Sequence, residues 1–172
     1  MSSLRSASME DLSFILEIFA SAVEMLKSKD IDQWQNGYPN EEQAVIDIQG
    51  KQSYILTFNG KVAAVGTITT DRDPSYSAID GSWAGKDGDK YASLHRIAVS
   101  EAFRGKRLGQ LVLSALVEKC KELGFSDIRA DTHRDNNAMR KLLSANSFEY
   151  RGIISKNNNC SMRLAYQLHL DR

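Results

Sequence analysis

Between residues 91 and 123 the sequence changes its hydrophobic period once, and that change narrows the folds open to the chain. Residues 91–99, YASLHRIAV, form a short apolar run that reads as a strand. Residues 107–123 place Leu108, Leu111, Val112, Ala115, Leu116 and Cys120 on one face at helical spacing, and Gly124 ends that helix as a C′ glycine does. The joint between them holds Arg104-Gly105-Lys106-Arg107-Leu108-Gly109. The first turn of a helix carries N–H groups without helical partners and the positive end of the dipole. Glycine lets the backbone come close to an anion, and three cations add charge, so the segment reads as a phosphate cradle. It has neither the Gly-Lys-Ser/Thr ending of a Walker loop nor a G-x-G-x-x-G pattern. A basic, solvated loop capping a surface helix is the plainer reading of the same spacing.

Punctuation elsewhere yields the other elements. Residues 4–7 read as an opening strand, and Ser8 with Asp11 as an approximate capping box for a helix. Leu12, Ile15, Leu16, Phe19, Val23 and Leu26 give that helix its apolar face. An irregular segment with Trp34, Tyr38 and Pro39 follows, then a shorter helix from about Asn40 toward Gly50. Residues 53–58 and 62–70 read as two strands joined by Asn59-Gly60, a type I′ hairpin signal. Residues 71–90 are polar and read as a loop. After the long helix come a strand at 128–132, a helix at 136–146 and strands near 148–154 and 161–168. This order predicts an α/β fold: a mixed, mostly antiparallel sheet of about seven strands with helices on both faces.

The length of 172 residues fits one domain, spanning 1–172. Basic and acidic residues balance at 22 each, which supports no broad attraction to nucleic acid or membrane. Cys120 and Cys160 are far apart and lack metal-ligand spacing, so they read as reduced thiols and no metal is expected. No apolar run approaches the ~18 residues of a membrane span, and the first residues lack the apolar core of a signal peptide. The expectation is a cytoplasmic protein.

Two blocks resemble a known family. Ile97-Ala98-Val99 followed by Arg104 and Gly109 resembles the Arg/Gln-x-x-Gly-x-Gly/Ala signature of the GNAT superfamily of acyl-CoA-dependent N-acetyltransferases, with Arg107 standing at the first signature glycine. His133-Arg134-Asp135-Asn136-Asn137-Ala138-Met139, with Leu142, Leu143 and Phe148, resembles the family's His-x-x-Asn-x-x-Met … Gly-Phe block, Ser147 replacing the glycine. The resemblance implies the acyl-CoA N-acyltransferase fold, splayed between its fourth and fifth strands. It implies acetyl-CoA as co-substrate and no metal. Backbone groups of Ile97, Ala98 and Val99 would hold the pantetheine arm. Those of Arg104, Gly105, Lys106, Arg107, Leu108 and Gly109 would hold the pyrophosphate, with Asn136 and Met139 beside the pantetheine. Trp34 and Tyr38 would border an amine acceptor, either a small molecule or a peptide. Asn136 also reads as a plain helix N-cap.

Acetyl transfer to an amine needs a base for the ammonium proton, a donor for the developing oxyanion and a proton for the leaving thiolate. His95 is the candidate base, because an imidazole titrates near neutrality and because strand alternation puts residues 95 and 97 on one face. No thiolate donor is evident: Leu143 stands where many relatives carry tyrosine, and Tyr38, Tyr91 and Tyr150 are the substitutes. Two other classes stay open at this point. One is a non-catalytic CoA-binding or regulatory module of the same fold; the other is a phosphoanion-binding protein unrelated to CoA. Pairing of terminal strands could make a homodimer.

Overall fold

The computed structural model describes residues 1–156 and 161–170, and its contacts group the chain into two units. The first takes Met1–Ile68 and Arg96–Leu116, the second Thr69–His95 and Val117–Arg172. Eight strands follow the hydrogen-bonded order β1-β2-β3-β5-β6-β8-β7-β4. They are β1 Ser2–Ser6, β2 Ser53–Phe58, β3 Lys61–Thr69, β4 Asp80–Gly81, β5 Ala92–Val99, β6 Asp127–Thr132, β7 Glu149–Lys156 and β8 Ser161–His169. The helices are α1 Leu12–Ser28, α2 Glu41–Gln49, α3 Pro74–Ser77, α4 Leu108–Glu122 and α5 Asn137–Ala145. The sheet is mixed and mostly antiparallel, with one parallel pairing, β5 with β6, among the described ladders.

In the first unit, Ser8 and Asp11 form the expected box. The Ser8 N–H donates to Asp11 Oδ2 at 2.8 Å, and Arg5 grips the same carboxylate from the other side at 2.9 and 3.0 Å. A 3-10 turn over Met9–Asp11 comes first, so α1 starts at Leu12, where its apolar period begins, and later than a cap at Ser8 suggests. Asn40 caps α2 by accepting from the Gln43 N–H at 2.9 Å. Asn59 and Gly60 both have positive φ, 50 and 76, as a type I′ turn requires. Ile15, Ile18, Phe19 and Ala22 of α1 pack with Ala44 and Ile48 of α2 onto Ile55, Val65 and Ala98 of the strands. Each such large side chain, fully buried, stabilises by roughly 1.5–3 kcal/mol.

Strand alternation puts the next residue, Gly66, on the other face of β3. A Cβ built there would lie 2.4 Å from Leu116 Cδ1 of α4. Helices therefore cover both faces of these strands. Leu116 is fully buried, so its methyl group can yield only by repacking its neighbours. Gly66→Ala is expected to lower stability by about 1–3 kcal/mol through overpacking. Urea unfolding checks this, and an unchanged midpoint would show that α4 shifts freely.

In the second unit β5 and β6 pair over three positions, Ala92–Leu94 against Ile128–Ala130. These are the two strands on which the splay was expected. β8 lies antiparallel to both β6 and β7, with a register shift between Tyr150 and Gly152. The core holds Tyr76, Tyr91, Ile154 and Ala165, flanked by Ile79 and Trp83.

The polar stretch 71–90 is not all loop. Asp73 accepts from the Ser75 N–H at 2.9 Å and opens α3, and Tyr76 on that turn is fully buried. Polar neighbours hid a turn that two aromatics, Tyr76 and Trp83, fold inward; with the two-residue β4 this raises the strand count to eight. Cys120 is buried on α4, and burial pushes its thiol up to about 12. Cys160 lies outside the described residues. No helix among the described residues is long and apolar enough to cross a membrane.

Candidate functional site

The first unit holds Trp34, Tyr38, Ile97, Ala98, Val99 and residues 104–109; the second holds His95, Asn136 and Met139. β5 hands over to the basic segment through a 3-10 turn, Glu101–Phe103, and the Ser100 N–H is tied back to the Ala63 carbonyl at 2.7 Å. Arg104, Gly105, Lys106 and Arg107 are all exposed, while Leu108 is buried and anchors the first turn of α4. Arg104 Nη2 donates to the Ser21 carbonyl at 3.2 Å, which ties the turn to α1. Lys106 Nζ stands 5.9 and 5.8 Å from the ring centres of Phe58 and Phe103.

The two residues that depart from the family signature have a left-handed backbone. Gly105 has φ 82, and Arg107, at the signature glycine, has φ 57. Ser147, at the second replaced glycine, has φ 66. Both positions hold the left-handed conformation that glycine adopts most easily. Arg107→Gly is expected to leave stability within about 1 kcal/mol of the parent, while Arg107→Val, β-branched at positive φ, costs about 1–3 kcal/mol. Melting curves of the two variants decide; equal losses in both would show that the side chain, not the dihedral, matters here.

Asn136 is the N-cap of α5 and accepts from the Met139 N–H at 3.2 Å, so the capping reading describes its side-chain oxygen. Trp34 packs edge-on to Phe19, centroids 6.2 Å apart, against the core of the first unit. The Tyr38 hydroxyl accepts from Arg96 Nη1 at 2.7 Å. Arg96 also donates from Nε and Nη2 to both oxygens of Asp47, at 2.6 and 2.8 Å. Burial works to lower the Arg96 pKa, but Asp47 and Tyr38 outweigh it and hold the value above the ordinary one.

His95 lies on β5, half-buried, its ring stacked on Tyr76 with centroids 6.3 Å and planes 29° apart. The Tyr76 hydroxyl donates to Asp131 Oδ2 at 2.7 Å. Lys156 Nζ reaches Asp73 at 2.8 Å and Asp131 at 3.5 Å, and sits 5.0 Å from the Tyr76 ring centre. Burial, then the Asp131 charge, raises the Tyr76 pKa well above the ordinary phenol value, so this tyrosine is neutral at physiological pH. Strand alternation does not carry from His95 to Ile97, because Arg96 between them has φ 51. Alternation alone therefore does not set the faces of residues 95 and 97, and residues 95, 96 and 97 are all half-buried.

The three candidate thiolate donors have other partners. Tyr91 stacks 3.9 Å from the Arg129 guanidinium and accepts from the Asp73 N–H, Tyr38 serves Arg96, and Tyr150 is exposed at an edge of Tyr166. Leu143 is wholly buried. The sequence reading missed Arg96, Asp47, Tyr76, Asp131 and Lys156. The Asp73-Pro74-Ser75 cap was the local signal for Tyr76; no local signal marks Asp47, whose strand partners Thr67 and Arg96 lie 20 and 49 residues away in sequence.

A mixed sheet whose strand feeds a basic left-handed turn and a helix defines an acyltransferase architecture. The chain belongs to the acetyltransferase (GNAT) family, whose model matches residues 19–148. It is similar to a GNAT family acetyltransferase from Streptococcus agalactiae, at 29% identity and TM-score 0.90, over 99% of this chain and 96% of that one. A Listeria monocytogenes GNAT family acetyltransferase shares the fold at 21% identity and TM-score 0.75, over 98% and 95%. So does a GNAT superfamily phosphinothricin acetyltransferase from Sinorhizobium meliloti in complex with AcCoA, at 20% identity and TM-score 0.67, over 96% and 86%. No curated protein matches the chain.

Proposed function

We propose that this acetyltransferase moves the acetyl group of acetyl-CoA to a primary amine of a small molecule or peptide, by direct attack in a ternary complex. The observation that carries the reading is the segment 104–109: three exposed cations on a turn with two left-handed residues, running into the start of α4. These residues fit a diphosphate, because backbone N–H groups at a helix start and flexible cations recognise it together. The Sinorhizobium meliloti structure, with AcCoA on the same fold, supports the choice of acyl donor.

In this reading the backbone of Ile97, Ala98 and Val99 takes the pantetheine arm, and Asn136 and Met139 adjoin it. His95 accepts the proton of the attacking amine, and Trp34 and Tyr38 border the acceptor. A backbone N–H of β5 meets the developing oxyanion, and solvent protonates the thiolate. Placement of both substrates supplies much of the acceleration.

The buried Leu143 favours one competing reading, a CoA-binding module without turnover. Calorimetry with acetyl-CoA, followed by thiol release across a panel of amines, separates the two. Binding with turnover on at least one amine is expected. Tight binding with no turnover on any amine selects the module, and no binding at all rejects both.

A further inference from the structure

β5 carries one residue whose backbone does not suit a strand. Arg96 has φ 51, between His95 and Ile97. A side chain in that region crowds its own backbone, and such a residue persists only where its surroundings over-determine it. Here the guanidinium supplies the determination. It spends Nε and Nη2 on Asp47 and Nη1 on Tyr38. Asp47, 2% exposed, is itself gripped by Thr67 Oγ1 at 3.2 Å and Gln43 Nε2 at 2.9 Å. Residues of α2 and of the segment before it thus hold Arg96, and β3 in turn holds Asp47.

Stability alone does not account for this arrangement, since a buried ion pair adds little over well-packed apolar side chains. The strand conformation it accompanies has a local consequence. A left-handed residue in a strand breaks the pleat and re-aims the side chains and amides beside it. We infer that Asp47 and Tyr38 are positioning residues. They lock Arg96 left-handed, and that lock sets how the chain presents His95 and the Ile97 backbone for acetyl transfer. The inference rests on the acetyl-CoA reading above for its effect on rate, but not for the lock itself.

The logic gives a rescue test. Glycine holds φ 51 without an anchor, so it makes the lock unnecessary. Asp47→Ala is expected to lower kcat about 100-fold, as a small misplacement near the chemistry does, and to weaken acetyl-CoA binding, because the Ile97 backbone takes the pantetheine arm. Asp47→Ala combined with Arg96→Gly is expected to recover kcat to within about tenfold of the parent. Amide exchange at Ile97 and Ala98 reports the same lock without ligand: faster in Asp47→Ala, slowed again in the double variant. A double variant that is as slow, and exchanges as fast, as Asp47→Ala overturns the inference, because a purely structural ion pair is not replaced by glycine. An Asp47→Ala protein with parental kcat and exchange overturns it too. If Asp47→Ala fails to fold, the double variant decides alone: a folded protein with near-parental exchange supports the lock, and an unfolded one rejects it. Failure of the parent chain to bind acetyl-CoA defeats the functional reading and leaves the exchange comparison standing.

Discussion

Gly109→Glu is expected to weaken acetyl-CoA binding by well over tenfold, while the protein stays about as stable as before. Gly109 is the second residue of α4. A carboxylate in the first turn of a helix interacts favourably with the dipole, by about 0.3–1 kcal/mol, so the fold has no reason to suffer. The same carboxylate occupies the place where an anionic ligand would take the backbone N–H groups. Like charges about 4 Å apart repel by about 4 kcal/mol at the effective dielectric of a protein surface. Discounting for solvent exposure and salt still leaves about 2–3 kcal/mol, a Kd raised by about 30- to 160-fold. Calorimetry on the variant, with its melting temperature measured alongside, tests both halves. Parental affinity would remove the diphosphate from the start of α4. Lost affinity with a collapsed melting temperature would show that Gly109 serves packing instead.

The contrast between the segment 104–109 and the Arg96 network shows what a sequence of this kind discloses. The cradle is local: strand, turn, cations and helix start follow one another, so spacing displays them. Even its irregularity was legible as an irregularity, since Arg107 stands where a glycine is usual. What spacing did not disclose is that Arg107 and Ser147 adopt a left-handed backbone, which glycine holds most easily. Tertiary contacts decide that question, not propensity. The Asp47–Arg96–Tyr38 set is non-local, and each member taken alone is an ordinary polar residue on a helix, strand or loop. Trp34 is read from sequence either as a pocket wall or as an anchor for its loop, and its contact with Phe19 supplies the anchor. Tyr76 was hidden by its polar neighbours, although the cap of α3 sits two residues before it. The sheet and its flanking helices came through well, because their apolar periods are long and their turns carry Asn59-Gly60 and Gly124.

The second large effect falls on the rate and not on binding. His95→Ala is expected to lower kcat by about 100- to 1,000-fold, the range a positioned general base supplies. Acetyl-CoA affinity should change by less than about threefold, because the cradle lies on other residues. The setting of His95 favours a group whose ring orientation is fixed. It stacks on Tyr76, and Tyr76 is wholly buried and held through its hydroxyl by Asp131. A rigid platform of this kind keeps an imidazole in one orientation, as proton transfer requires. The competing account is that His95 only fills space above Tyr76. Two measurements part the accounts. Under the catalytic account, imidazole added to His95→Ala restores part of the lost rate, and the melting temperature moves little. Under the packing account, the melting temperature falls, kcat follows the folded fraction, and added imidazole does nothing. Parental kcat in a well-folded His95→Ala protein would take His95 out of the reaction. The search for the base would then move to groups brought close by the amine acceptor itself.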